Sequence, residues 1–333
     1  IYSTKFYLNI MNIKKSFKGL GVIFLIIIFI TIYNSIYFDI PKNEIIAKHA
    51  NGASEFIKLE DGSLIHIRDE GNKNGKTIVM VHGFNGSLFN YEPLIPHLND
   101  RYRILSLDLP AHGLTGAVKS DFYSHEGFED VIKEVVKIQG IDEFYLIGHS
   151  MGGMVAWRYT LNNMKQIKGL IIIGSPFIGS EKEYNDFQSV NAPPAAFKLL
   201  DTTLFREMLG YVTPRLLVKE GISQTVYDQS IVTDDLVDQF HDIILMEGTR
   251  EAIGELVINH EDNFMADPDI LRKINIPTLI LHGEEDNLVD IRFVSHFVEQ
   301  IPDVKLISYP KVGHMPPMEI PMQLSKDIRN FVN

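Results

Sequence analysis

Leu146-Ile147-Gly148-His149-Ser150-Met151-Gly152-Gly153 is the stretch that decides how this chain reads. Glu143-Phe144-Tyr145-Leu146-Ile147 before it has the composition of a short buried strand. Met154-Val155-Ala156-Trp157 and Tyr159 after it form the apolar face of a helix. Between strand and helix stands Gly-x-Ser-x-Gly, and a strand that turns straight into a helix around a serine lifts that serine out of the backbone. The turn is so sharp that neighbouring chain segments nearly touch, so positions 148 and 152 cannot carry bulk. Ser150 Oγ is thereby offered as a nucleophile. The N–H of Met151, at the start of the helix, points at whatever Ser150 attacks.

Working outward, short apolar strands alternate with helical stretches. Glu55–Leu59 and Leu64–Asp69 alternate about the Asp61-Gly62 turn and predict a hairpin. Thr77–Val81, Tyr102–Leu107 and Ile167–Ile173 read as buried strands, with a helix candidate at Leu88–Leu98 and an amphipathic helix at Glu126–Gln139. The rhythm breaks between Gly179 and Asn263. There the pattern gives only helical patches, such as Phe197–Leu209 and Asp235–Met246, too rich in Leu, Phe, Met and Ile for a disordered loop. Strands resume at Pro277–Leu281 and Val304–Ser308, and Met322–Phe331 is a last helix. The expectation is an α/β fold: a mostly parallel sheet with helices on both faces and an inserted helical cap.

The N-terminal part is of another kind. Gly19–Phe38 is twenty uncharged residues, about 30 Å as a helix and enough to cross a bilayer core. Lys14, Lys15 and Lys18 precede it, so the lysines should stay in the cytoplasm and the bulk of the chain should lie on the far side, periplasmic or extracellular. A cleaved signal peptide is the competing reading. Ile32–Tyr37 offers no A-x-A-like site, which favours an uncleaved signal anchor. Met11 reads as a natural start, and residues 1–10 are left out of the fold. The expected order is a cytoplasmic segment 1–18, a membrane span 19–38, a linker 39–54, a first core part 55–178, the cap 179–263 and a second core part 264–333.

Composition excludes several classes. The chain has 333 residues, no cysteine and a formal charge of −12. Disulfides, thiolate metal sites and a cysteine nucleophile are ruled out. Nucleic acid as a partner is disfavoured, because phosphates need a basic face. Residues 1–38 hold four lysines and no acid, leaving 27 basic against 43 acidic side chains, a formal charge of −16. Anionic lipid should repel such a body, so an anchor rather than surface charge would hold it at a membrane.

In an open parallel sheet, catalytic groups gather at the C-terminal strand ends. After Leu279-Ile280-Leu281 stands His282-Gly283-Glu284-Glu285-Asp286, and after Leu306–Tyr309 stands Lys311-Val312-Gly313-His314. The order Ser150, Asp286, His314 resembles that of the α/β-hydrolase superfamily, over about residues 55–333. The resemblance rests on His82-Gly83-Phe84, Gly148-His149-Ser150-Met151-Gly152-Gly153, Gly283-x-x-Asp286 and Gly313-His314. Asp108-Leu109-Pro110-Ala111-His112-Gly113 is similar to the family's Asp-x-Pro-Gly-His-Gly loop, with Ala111 in place of the glycine.

The resemblance implies a triad in which His314 is the base, Asp286 orients it, and Ser150 attacks. It implies an oxyanion hole from the backbone N–H groups of Phe84 and Met151, and needs no metal or organic cofactor. Glu284 and Glu285 are the rivals of Asp286, Asp290 reads as a helix N-cap, and His82, His112 and His149 as loop supports. His260, beside Glu261 and Asp262, stands alone in the cap and does not make a metal site. An anchor and an apolar cap point to carboxylic esters, in the manner of membrane-anchored monoacylglycerol lipases and small bacterial lipases. The partners expected are a small ester or lipid and the membrane. Carbon–carbon bond hydrolysis, other triad hydrolases and a ligand-binding role without turnover are the alternatives.

Overall fold

The computed structural model describes residues 36–190, 213–260 and 265–333. Among the described residues, no helix is long and apolar enough to cross a membrane. The expected span lies outside them, except for Ile36, Tyr37 and Phe38. The helix expected at Phe197–Leu209 lies outside them too.

Eight strands form one sheet in the order β1-β2-β4-β3-β5-β6-β7-β8. They are β1 (Ser54–Lys58), β2 (Leu64–Gly71), β3 (Thr77–Val81), β4 (Arg103–Leu107), β5 (Phe144–His149), β6 (Ile167–Ile173), β7 (Thr278–Gly283) and β8 (Val304–Tyr309). The β1–β2 hairpin and the β2–β4 pair are antiparallel, and every later pairing is parallel. Alternation along the central strands divides the core into two layers. Val79, Val81, Leu105, Leu107, Leu146, Leu170 and Ile172 face one side, with Phe128, Val131 and Val155 packed on them. Ile78, Met80, Ile104, Ile147, Ile171 and Ile173 face the other, with Leu324, Ile328 and Val332. Because the side-chain period of a strand is two, a sheet covered on both faces is apolar at nearly every central position.

The described helices include those expected at Glu126–Gln139, after Ser150, at Asp235–Met246 and at Met322–Phe331. They are α1 (Lys42–His49), α2 (His125–Ile138), α3 (Met151–Asn163), α4 (Glu181–Val190), α5 (Arg215–Thr225), α6 (Asp234–Leu245), α7 (Thr249–His260), α8 (Ser295–Gln300), the single turn α9 (Pro316–Glu319) and α10 (Pro321–Val332). The Ser124 side chain caps α2 by accepting from the Gly127 N–H. Helices α4 to α7 belong to the inserted region, whose two necks meet in a parallel bridge between Ile178 and Met265.

Two expectations need correction. Leu88–Leu98 is not one helix but two short 3₁₀ turns, Leu88–Tyr91 and Ile95–His97. Pro93 and Pro96 lack the N–H groups that a continuous α-helix would use. The stretch expected as a linker contains α1, and it is bound to the cap rather than loose. Lys48 and His49 both reach Asp242 on α6, at 2.5 and 2.7 Å. The Ile40 N–H donates to the Leu245 carbonyl at 2.8 Å, and the Glu247 N–H returns to the Ile40 carbonyl at 2.9 Å. Arg250 of α7 pairs with Asp39 and donates to the Tyr37 carbonyl.

Phe128 is wholly buried in the first core layer. Phe128→Ala should cost about 3–5 kcal/mol, read as a drop in the urea midpoint, because the cavity adds to the lost transfer energy. A cost below about 1 kcal/mol would mean that α2 is not packed as described.

Candidate active site

The site is built at the C-terminal ends of β3, β5, β6, β7 and β8. Ser150 sits between β5 and α3 with φ 53° and ψ −122°. A non-glycine residue at such a φ is strained, and surrounding contacts must hold it. They are visible here. The Ser150 N–H donates to the Ile173 carbonyl at the end of β6, at 2.9 Å. A Cβ at Gly148 would come within 2.2 Å of the Gly152 carbonyl oxygen, and one at Gly152 within 2.4 Å of the Val81 and His82 carbonyl oxygens. Only glycine fits either place, so the sharp turn packs directly on the end of β3.

That contact brings up the loop after β3. A Cβ at Gly83 would lie 2.8 Å from Ser150 Cβ. Phe84 follows it and is partly exposed. The His82 Nδ1–H donates to the Gly83 carbonyl at 2.7 Å, and its Nε2 accepts the Leu109 N–H at 3.0 Å. Asp108 is buried and accepts three hydrogen bonds, from His66 Nδ1 at 2.6 Å, the Leu88 N–H at 2.7 Å and the Leu114 N–H at 2.8 Å. Burial alone would raise its pKa, but the charge and hydrogen bond of His66 hold it below the ordinary 3.8. Ala111, where the family loop has glycine, adopts φ 69°. The loop therefore keeps the left-handed turn despite the methyl group.

The structure brings Asp286 and His314 together. Both are buried, and the His314 Nδ1–H donates to Asp286 Oδ2 at 2.7 Å. Asp286 Oδ1 accepts the Leu288 and Val289 N–H groups at 2.8 and 2.9 Å. Burial would raise the pKa of this carboxyl, but the charge of His314 and its hydrogen bond, with the neighbouring groups, hold it below 3.8. The bond fixes the tautomer, leaving Nε2 of His314 free to take a proton. The rival acids are used elsewhere: Glu284 accepts from Ser308 Oγ, and Glu285 from the Val312 N–H. Asp290 accepts from the Arg292 N–H as a cap. The close approach of the two loops explains another glycine, since a Cβ at Gly283 would lie 2.2 Å from the Gly313 carbonyl oxygen.

The Ser150 turn and the Asp286–His314 pair are linked by two residues that a sequence motif does not reveal in this role. Gly174, directly after Ile173, lies against His314 and Asp286, and a Cβ there would reach His314 Nδ1 at 3.4 Å. His149 Nε2–H donates to the His314 carbonyl at 2.7 Å, with the two rings 4.8 Å apart. Burial, with the positive charge that His314 can carry, pushes the His149 pKa down to about 3. It stays neutral beside His314. Met151 is the first residue of α3, so its N–H is one of the unsatisfied donors at a helix start.

His82 and His282 are likewise buried with lowered pKa values, desolvation being the first cause in each. The unfolded chain protonates these histidines near the ordinary 6.5, whereas folded His149 resists to about 3. Between those limits the unfolded state binds more protons, so stability falls as pH falls. His149 alone should contribute a slope of about 1.4 kcal/mol per pH unit well inside that window. Urea midpoints measured from pH 6.5 down to 4.5 should decline steadily, and a flat profile would contradict neutral burial.

Comparison with known proteins places this geometry. The chain is 25% identical over 279 residues to the uncharacterized hydrolase YugF of Bacillus subtilis (strain 168), covering 82% of this chain and 95% of the relative. It is 27% identical over 297 residues to a 2-hydroxy-6-oxononadienedioate/2-hydroxy-6-oxononatrienedioate hydrolase of Cupriavidus pinatubonensis (strain JMP 134 / LMG 1197), covering 84% and 96%. A crystal structure described as a membrane phospholipase A, a bacterial virulence factor, superposes with a TM-score of 0.70 at 18% identity, covering 94% of this chain and 96% of that one. At that identity the likeness is one of fold. Residues 72–321 match the family model described as serine aminopeptidase, S33, and the chain belongs to that family, within the α/β-hydrolase superfamily.

Proposed function

We propose that the protein is a serine hydrolase of carboxylic esters, working through Ser150, His314 and Asp286. The observation that carries the reading is a strained serine at the end of β5 and, in the loops after β7 and β8, a buried histidine whose Nδ1–H is given to a buried carboxylate. Ser150 Oγ would attack the ester carbonyl carbon as His314 Nε2 takes its proton. The developing oxyanion would accept from the Phe84 and Met151 N–H groups. His314 would then return the proton to the leaving alcohol, giving an acyl-enzyme that water cleaves by the same steps in reverse order of partners.

The lipid-facing part of the proposal rests on the N-terminal stretch. The apolar run 19–38 ends at Asp39, which pairs with Arg250, and the following residues are strapped to cap helices α6 and α7. Tyr37 also stacks edge-on against His241, whose Nε2–H donates to the Thr213 carbonyl at 2.8 Å. Helix α5 starts two residues later and ends at Thr225, whose carbonyl accepts the His314 N–H at 2.7 Å. Its 11 residues span about 16 Å. The exit of the expected anchor and the proposed base thus stand at the two ends of one helix. This fits an enzyme held by a single N-terminal anchor and acting on acyl chains drawn from the membrane, with Lys14, Lys15 and Lys18 before the span favouring a body on the non-cytoplasmic side.

The named relative of the dienoate class favours a second reading, cleavage of a carbon–carbon bond next to a carbonyl. The two separate on substrate. Hydrolysis of p-nitrophenyl esters of graded chain length should depend on Ser150, with Ser150→Ala lowering kcat by at least about 10³-fold while the fold is retained. Intact ester turnover in Ser150→Ala would sink the proposal. Turnover confined to a 2-hydroxy-6-oxodienoate, or to an aminoacyl p-nitroanilide, would move the assignment to carbon–carbon or peptide-type chemistry.

A further inference from the structure

Glu319 closes the single turn α9, five residues after His314, and is half-buried. Its carboxylate accepts four backbone N–H groups. Oε1 takes those of Gly313 at 2.9 Å and Met315 at 3.3 Å, the two neighbours of His314. Oε2 takes those of Tyr227 at 2.8 Å and Asp228 at 3.2 Å, in the segment that leaves α5. The same two segments also touch directly. The His314 N–H donates to the Thr225 carbonyl at 2.7 Å, and a Cβ at Gly313 would lie 2.8 Å from Thr225 O and Tyr227 N.

We propose that Glu319 is a positioning residue that locks the exit of α5 in the cap onto the His314 loop, so that the base is correctly placed only when this part of the cap is seated. The proposal rests on the serine-hydrolase reading of the site. A carboxylate that merely closed the turn of α9 would need the Met315 N–H alone, and the Tyr227 and Asp228 bonds have no part in that. Two anionic oxygens can each accept two N–H groups, so the carboxylate satisfies both segments at once. An amide in its place has one acceptor oxygen, and its NH₂ would face two N–H donors. Glu319→Gln can therefore hold only one segment at a time, and as the amide flips between them both segments loosen, without a change of volume. His314 itself keeps its bond to Asp286, but the loop that carries it loses its fixed relation to the cap.

The test is the rate at which a fluorophosphonate labels Ser150 in the full chain, read by intact mass. Wild type should label to one adduct per chain. Glu319→Gln should reach the same endpoint about 10- to 100-fold more slowly, the effect of a base displaced by a fraction of an ångström to one ångström. Glu319→Asp keeps both oxygens on a shorter stem and should fall between them, which keeps the test open if the glutamine variant fails to fold. Amide hydrogen exchange should quicken together at Tyr227, Asp228, Gly313 and Met315. A wild-type labelling rate per chain in both variants would overturn the proposal. So would fewer labelled chains at an unchanged rate, the mark of a purely structural role, or faster exchange at Gly313 and Met315 alone. If wild type does not label at Ser150, the serine-hydrolase reading fails and takes this proposal with it.

Discussion

The structure depends on a close approach that only glycine permits. The turn around Ser150 lies so near the end of β3 that any side chain at Gly152 would strike the carbonyls of Val81 and His82. That one contact does three things. It forces Ser150 into a left-handed backbone, brings the His82-Gly83-Phe84 loop against the serine, and starts α3 with its N–H groups facing the same space. The strain is held in place because β5 is central in an eight-stranded sheet, paired on both sides and covered by both core layers. A rigid scaffold is what allows an unfavourable turn to persist.

Around that turn the polar groups are buried in partnered sets. Asp286 and Asp108 are both desolvated, and each keeps its charge through a histidine and two backbone N–H donors. An isolated carboxylate in such a place would protonate instead. The first of these sets tethers the proposed base, and the second tethers the loop behind Gly83 through Leu88. His149 belongs to neither set. Its burial keeps it neutral, and its N–H holds the His314 carbonyl. His149 thus adds no charge of its own beside the proposed base.

Much of this was legible in the sequence, for physical reasons. Period-two alternation and uninterrupted apolar runs located the strands, because a doubly covered sheet demands them. The order Ser150, Asp286, His314 was legible because each stands in the loop or turn that follows a strand, where an open parallel sheet collects its loops. Other features depend on long-range contact and leave little trace. Nothing near Pro41 announces that α1 will be pinned to Asp242, some two hundred residues away. Pro93 and Pro96 did carry a local signal against one helix at 88–98, and it outweighs the apolar periodicity there. The pairing of Asp286 rather than Glu284 or Glu285 is settled by where β8 and its loop deliver Ser308, Val312 and His314. Glu319 carries only a spacing from His314, and its partners at 227 and 228 stand some ninety residues earlier in the chain.

Under the proposed mechanism Ser150 becomes covalently acylated during turnover. The most direct measurement is acid quenching of the wild-type protein during hydrolysis of a slow ester, followed by digestion and mass analysis. The expected result is a mass increase equal to one acyl group on the peptide that contains Ser150, present during turnover and gone once the ester is consumed. Steady ester turnover with no acyl mass on that peptide, or acyl mass on a different residue, would contradict it.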